Sequence, residues 1–366
     1  MRFEISRAEL IKPLQLVTGV VERRQTLPIL SNLLLIVAED NVSLVGTDLE
    51  VEMIGRVPLK SAEPGETTVP ARKLMEICRE LPEQASLAIT LENQRLVIRS
   101  GRFQSTLSCL PAAEFPSVDR SEITQEIELA SRSLKRLIDR TSFAMAHQDV
   151  RYFLNGMLLE VGEGHVRAVT TDGHRLALCE MEYKGELEEV HQVIIPRKGV
   201  QELQRLLGDS DENAKIFLGS NHLGVEVDEF TFTTKLVDGR FPEYERVIPR
   251  GGDRIVCGDT QELRQALNRT AILSNEKLRG IRVSVVEGNL QLSANNPEQE
   301  EAEESVSVEY SGEQLDMGFN VSYLIDVLSV LESEKVKITM QDANSSALLE
   351  EPDNDDSIYV VMPMKL

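Results

Sequence analysis

The strongest constraint on this chain is that its sequence repeats. Val69-Pro-Ala-Arg-Lys-Leu-Met-Glu-Ile-Cys-Arg-Glu-Leu81, Ile195-Pro-Arg-Lys-Gly-Val-Gln-Glu-Leu-Gln-Arg-Leu-Leu207 and Phe319-Asn-Val-Ser-Tyr-Leu-Ile-Asp-Val-Leu-Ser-Val-Leu331 share one pattern. In each, an apolar residue and a Pro or Asn open an amphipathic helix. Core positions recur at Leu74, Val200 and Leu324, at Ile77, Leu203 and Val327, and at Leu81, Leu207 and Leu331. That is the i, i+3, i+7 spacing of one helix face. An acid recurs as well: Glu76, Glu202, Asp326. The copies stand 126 and 124 residues apart.

Two further markers keep the same order. Val45-Gly-Thr-Asp48 matches Val169-Thr-Thr-Asp172, and Ser293-Ala-Asn-Asn296 takes the third slot. Leu10–Leu14, Leu134–Ile138 and Leu263–Leu267 each begin a helical pattern, with Ser131 and Ser133 as candidate N-caps of the middle one. Short apolar or alternating runs at Leu33–Val37, Gly156–Val161 and Ile281–Val286 read as strands. Leu96–Arg99, Phe230–Thr234 and Ile358–Val361 add late strands. Three markers in one order make chance similarity improbable and point to triplication. The 366 residues then divide into three α+β domains at 1–121, 122–249 and 250–366, each with two helices on antiparallel sheets.

Charge is distributed unevenly. The net charge of −22 argues by itself against nucleic-acid binding. Yet the helical windows 7–24, 72–79, 132–140, 197–205 and 264–279 hold 18 basic and 6 acidic residues in 60, against 21 and 55 in the other 306. If the helices share a surface, it is positive and suits phosphates, while every other face repels them. The alternative is that Lys and Arg simply favour solvated helices. The helix at 320–331 lacks both. With no Trp and 4% aromatics, large stacking platforms for single strands are not expected.

Other classes find little support. No apolar run reaches the ~18 residues of a membrane span, and the first residues lack the apolar core of a signal peptide. A cytoplasmic protein is expected. Cys78, Cys109, Cys179 and Cys257 are widely spaced and form no metal or redox pair. Asp172 and His174 could suggest a hydrolase, but Asp48 recurs without a His in the first copy and an Asn replaces the Asp in the third. No phosphate loop, nucleophile elbow or dinucleotide glycine pattern occurs, so no catalytic residue, metal or cofactor is expected. An acidic interaction scaffold without DNA is a further alternative.

Longer motifs add a resemblance. Thr171-Asp-Gly-His-Arg-Leu-Ala177, Asp238-Gly-Arg-Phe-Pro-Glu-Tyr-Glu-Arg-Val247 and Val360-Val-Met-Pro-Met364 resemble hallmarks of the bacterial sliding clamps, the β subunits of the replicative DNA polymerase III. Thr26–Leu30, His147–Arg151 and Asn295–Glu303 strengthen the match, which covers residues 1 to 366. The resemblance implies a DNA clamp fold and a head-to-tail homodimer, a six-domain ring around duplex DNA, with Leu107, Ile272 and Leu273 at the dimer contact. It implies DNA-facing residues Arg24, Arg72, Lys73, Gln148, Tyr152, Phe153 and Lys198. It also implies a partner groove at Leu154, Thr171, Gly173, His174, Arg175, Leu176, Pro242, Arg246, Val247, Ser346, Val360, Met362, Pro363 and Met364. An apolar, Met-containing pocket with a polar rim suits short flexible peptides. The implied partners are replicative and translesion polymerases, the clamp loader, mismatch-repair proteins and replication-initiation regulators bearing Gln-Leu-x-Leu-Phe-like motifs. ATP hydrolysis would belong to the loader.

Overall fold

The architecture comes from a computed structural model that describes residues 1–22, 27–116, 123–185, 189–209 and 212–365. Arg24, one of the expected DNA-facing residues, lies outside them.

One order of elements recurs three times. The first run is β1 (Arg2–Ser6), α1 (Arg7–Val20), β2 (Asn32–Val37), β3 (Asn41–Thr47), β4 (Val51–Pro58), the two-residue β5 (Ala62–Glu63), β6 (Gly65–Pro70), α2 (Ala71–Glu80), β7 (Ser86–Glu92), β8 (Arg95–Ser100) and β9 (Phe103–Ser108). The second is β10 (Ile123–Ala130), α3 (Ser131–Thr141), β11 (Gly156–Gly162), β12 (His165–Thr171), β13 (Arg175–Glu182), β14 (His191–Pro196), α4 (Arg197–Leu206), β15 (Asn213–Gly219), β16 (His222–Val227) and β17 (Phe230–Lys235). The third is β18 (Arg254–Asp259), α5 (Thr260–Ala271), β19 (Gly280–Val286), β20 (Asn289–Asn295), β21 (Glu301–Ser307), β22 (Leu315–Asn320), α6 (Val321–Val330), β23 (Lys335–Met340), β24 (Ala347–Glu351) and β25 (Asn354–Val361). The expected helices and strands are all present. Position by position, however, Phe103–Ser108 is the counterpart of the late strands β17 and β25. Leu96–Arg99 falls one strand earlier in its repeat.

Local chemistry explains the helix starts. Ser6 and Glu9 form a reciprocal capping box on α1. Asp259 caps α5 through the Glu262 N–H at 2.8 Å, and Asn320 caps α6 through Ser322. The proposed Ser131 cap takes another role. Ser131 is already the first helical residue, and its hydroxyl donates to the Gly208 carbonyl at 3.4 Å. The repeated helix face packs inward at Leu74, Val200, Leu203, Leu324 and Val327. The repeated acid differs between copies: Glu76 is exposed, whereas Glu202 is buried.

All strand pairs are antiparallel, but the sheets do not respect the repeats. One eight-stranded sheet runs β10-β15-β16-β17-β4-β3-β2-β6, the other β14-β11-β12-β13-β25-β24-β23-β18. The joins are β17 on β4, with Phe232 opposite Met53, and β25 on β13, with Tyr359 opposite Ala177. Two smaller sheets run β5-β1-β7-β8-β9 and β21-β20-β19-β22. The chain accordingly separates into two compact units, Met1–Lys135 with Lys198–Leu236, and Arg136–Arg197 with Val237–Leu366. The middle repeat is shared between them.

In the second unit a large apolar core includes Leu263, Ile281, Phe319, Val336 and Tyr359. A smaller cluster of Leu158, Val169, Leu176, Ile194, Phe241, Tyr244 and Val360 lies apart. It floors the site described next. Cys78 and Cys179 are buried free thiols, with Cys78 pushed up to about 12 by burial. No helix among the described residues is long and apolar enough to cross a membrane, and those residues hold no cluster of metal-ligating side chains.

Candidate peptide-binding groove

A groove of about 160 Å³ opens in the second unit. Its backbone frame is the β13–β25 pairing, where Leu176 faces Val360. Beyond β25 the chain continues the ladder, with the Met362 N–H donating to the His174 carbonyl at 2.9 Å. Of the residues the resemblance implied, Leu154, Thr171, Gly173, Arg175, Leu176, Pro242, Val247, Val360 and Met362 line it. Arg151, Glu243 and Tyr244 line it too, although the sequence reading did not single them out as site residues. The signal was nearby, since Arg151 and Tyr244 belong to quoted motifs. His174, Arg246, Ser346, Pro363 and Met364 lie outside this lining. Arg246 is held by Glu243 at 2.5 Å, and the Met364 N–H is tied to the Gly318 carbonyl at 2.8 Å.

The turn between β12 and β13 builds the polar edge. The Thr171 hydroxyl donates to the Arg175 carbonyl at 2.6 Å and accepts from the Gly173 N–H at 3.1 Å. Gly173 has φ +88°, and a Cβ there would stand 3.1 Å from Arg151 Nη2. Asp172 accepts from the His174 and Arg175 N–H groups at 2.9 and 3.0 Å, and from Arg175 Nε at 3.0 Å. Both carboxylate oxygens are engaged in holding a turn. Asp172 thus anchors the turn that carries His174 and Arg175.

Arg175 is the hinge between the groove and α6. Its Nη1 reaches Asp326 at 2.6 Å and its Nη2 donates to the Phe143 carbonyl at 2.8 Å. The guanidinium also lies 4.4 Å from the Tyr323 ring centre. A planar, permanently charged group flanked by two carboxylates and an aromatic face is held in one orientation. Beside the groove, Arg151 Nε and Nη2 grip Asp149 at 3.0 and 2.9 Å. Those bonds pull the Asp149 carboxyl down to about 2.

The expected DNA-facing residues have varied surroundings. Lys73 is exposed. Arg72 Nη2 donates to the Val21 carbonyl at 3.1 Å. Lys198 is bound to Glu22 at 3.0 Å and to Asp48. Burial would lower its ammonium, but those two carboxylates raise it. Gln148 has φ +57°, and Tyr152 is 60% exposed, edge-on to Phe153 with ring centres 6.1 Å apart. Leu107 sits on β9. Ile272, just past α5, is 75% exposed, and Leu273 is half-buried.

Three family models match in sequence order. They are the DNA polymerase III beta subunit N-terminal domain over residues 1–119, the central domain over 128–243 and the C-terminal domain over 245–365. The chain is 60% identical to the beta sliding clamp of Pseudomonas aeruginosa and 52% identical to that of Escherichia coli, with both chains covered in full. The crystal structure of the Pseudomonas aeruginosa sliding clamp bound to griselimycin aligns with a TM-score of 0.97 at 60% identity, again covering 100% of each chain. A Caulobacter crescentus clamp with polyethylene glycol at a putative beta-motif tethering region aligns with a TM-score of 0.94 at 38% identity, covering 100% of this chain and 99% of that one. The chain belongs to the bacterial β sliding clamp family, the non-catalytic β subunits of DNA polymerase III.

Proposed function

We propose that two copies of this chain close head to tail into a ring around duplex DNA, and that each groove tethers polymerases and other replication and repair proteins by short peptides. The three domains would be 1–121, 122–249 and 250–366. The observation that carries the ring is the repeat of strand junctions. β17 pairs with β4, and β25 pairs with β13. Carried through the repeat, the third junction is β9 with β21. Both are terminal strands of their own sheets in the single chain, and unpaired edges seek partners. Copying the two observed registers places Gln104 opposite Glu303 and Phe103 opposite Glu304 of the partner subunit. Charge favours the match: Arg95, Arg99 and Arg102 accompany β9, while β21 and its approach carry Glu300, Glu301, Glu303 and Glu304. A two-fold closed dimer with this heterologous-looking edge contact uses both free edges.

Arg24, Arg72, Lys73, Gln148, Tyr152, Phe153 and Lys198 would face the DNA and Leu107, Ile272 and Leu273 the other subunit. Phosphate contacts of this kind carry no sequence information, so the ring can slide. The Leu176, Val360 and Met362 surface would take the apolar residues of a Gln-Leu-x-Leu-Phe-like peptide. Polymerases, the clamp loader, mismatch-repair proteins and initiation regulators would share it, in the cytoplasm. The test is topological. The protein is loaded onto nicked circular plasmid with its loader and ATP, isolated, and the plasmid is cut once. Release on linearisation, with retention on the circle, is expected. Equal retention on both forms would overturn the ring.

A further inference from the structure

One wall of the groove is not built by the sheet. Pro242, Glu243, Tyr244 and Val247 come from the segment that links β17 to β18. Val237 N–H is tied to the Ile194 carbonyl at 2.9 Å. After it, the segment's backbone bonds are local turns, Arg246 N–H to Glu243 and Val247 N–H to Tyr244. Side chains therefore hold this wall on the sheet. The Phe241 and Tyr244 rings meet edge to face, 6.5 Å apart, over the small apolar cluster.

Beneath them lies a polar cluster outside the groove lining. The Tyr244 hydroxyl accepts from Arg167 Nη1 at 2.6 Å and stands 3.4 Å from Glu160 Oε1. Arg167 is fixed in turn, with Nε on Glu180 at 2.6 Å and Nη1 on Glu160 at 3.0 Å. Glu160, only 6% exposed, also accepts from Gln192 at 2.5 Å and faces His165 Nε2 at 3.2 Å. Burial would raise the Glu160 carboxyl, but bonds from Gln192 and His165 and the Arg167 charge hold it below its usual value. Burial pushes the Tyr244 phenol up, so it stays neutral. Packing alone needs only the Tyr244 ring. A hydroxyl seated between a fixed guanidinium and a buried carboxylate adds a directional, charge-assisted tie.

We propose that Arg167, backed by Glu160, is a positioning residue for the peptide groove, fixing Tyr244 and so holding the linking segment in its peptide-accepting position. The proposal rests on the groove reading above. Releasing the tie lowers the fraction of molecules whose wall is in place, so apparent affinity falls by that fraction. The loss appears in the association rate, because peptide contacts in the formed groove are unchanged.

The test uses the full chain and a fluorescein-labelled Gln-Leu-Ser-Leu-Phe peptide, with affinity from anisotropy and rates from stopped flow. Tyr244→Phe keeps the ring and removes only the hydroxyl. Arg167→Met is paired with Glu160→Gln so that no buried carboxylate is left without its cation. Each variant is expected to raise Kd about three- to tenfold, mostly through the association rate, as loss of one charged hydrogen bond allows. The triple variant should be no weaker than the weaker of the two, because one tie is being cut. Leu176→Asp serves as the groove control. Normal binding by Leu176→Asp would overturn the groove reading itself. Loss there, with wild-type rates in Tyr244→Phe, would overturn the positioning role alone, as would additive effects in the triple variant. Should the Arg167 and Glu160 changes prevent folding, Tyr244→Phe still decides.

Discussion

Arg140 and Glu351 are 2% and 3% exposed and face each other at 3.2 Å, an arrangement that pays a desolvation cost for both charges. Glu332 adds a second partner to Arg140 at 2.7 Å. Burial would raise the Glu351 carboxyl, but the Glu332 and Ser333 N–H donors at 2.6 and 2.9 Å, and the Arg140 charge, hold it below its ordinary 4.5. A lowered carboxylate adds stability that is fully present above about pH 4.5 and is lost as pH falls through the folded value. Glu351→Gln should therefore lower stability by about 3 kcal/mol at pH 7, leaving Arg140 short of its buried partner. Thermal unfolding should show this gap shrinking below pH 4.5, and a gap constant with pH would refute the assignment. Gly173 offers a second prediction. Its counterpart in the first repeat, Leu49, holds φ +79° with a full side chain, so left-handed backbone alone does not require glycine. At Gly173 a Cβ would also press on the far end of the Arg151 side chain, 3.1 Å away. Gly173→Ala should displace Arg151 and weaken peptide binding, with about 1 kcal/mol of backbone strain besides. Unchanged anisotropy titrations would contradict this.

At the level of elements, the helices confirm one part of the charge argument and weaken another. Basic residues do concentrate on them, but many are internal ties rather than free cations. Arg7 donates to the Cys78 and Arg79 carbonyls, Arg197 to the Met145 and Ala146 carbonyls, and Arg269 grips Glu304. Counting charges could not reveal this, because each partner lies far away in sequence. Strand edges carry the sharper prediction. If β9 and β21 pair in the repeated register, cysteines at Gln104 and Glu303 should crosslink two subunits on mild oxidation. Cysteines at Gln104 and Ala302, one residue out of register, should crosslink more slowly, since a one-residue slip sends side chains to opposite faces. Equal rates would refute the register. Cys109 and Cys257, both half-buried, are best replaced with serine first.

For the whole molecule, the proposed DNA-facing residues differ in how cleanly a charge reversal tests them. Lys198→Glu would set a carboxylate against Glu22 and Asp48, disturbing the first unit whatever it does to DNA. Lys73 is exposed, so Lys73→Glu isolates the phosphate contribution. It should shorten retention on circular plasmid and flatten the salt dependence by about one phosphate contact, with dimerisation and thermal midpoint unchanged. Identical retention to wild type across salt concentrations would remove Lys73 from the DNA-facing set.

The sequence alone determined the threefold repeat, the order of helices and strands and the apolar helix faces. Each is written in local periodicity, in capping residues, or in short motifs whose members lie within a few positions of one another. Tertiary structure decided what joins distant residues. It set β17 on β4 and β25 on β13, divided the middle repeat between two compact units, turned Asp172 into a turn anchor and Lys198 into an ion-paired bridge, and brought Tyr244 onto Arg167, 77 residues away. These contacts depend on which surfaces are buried together and in what register. A period of 2 or 3.6 residues carries no information about that.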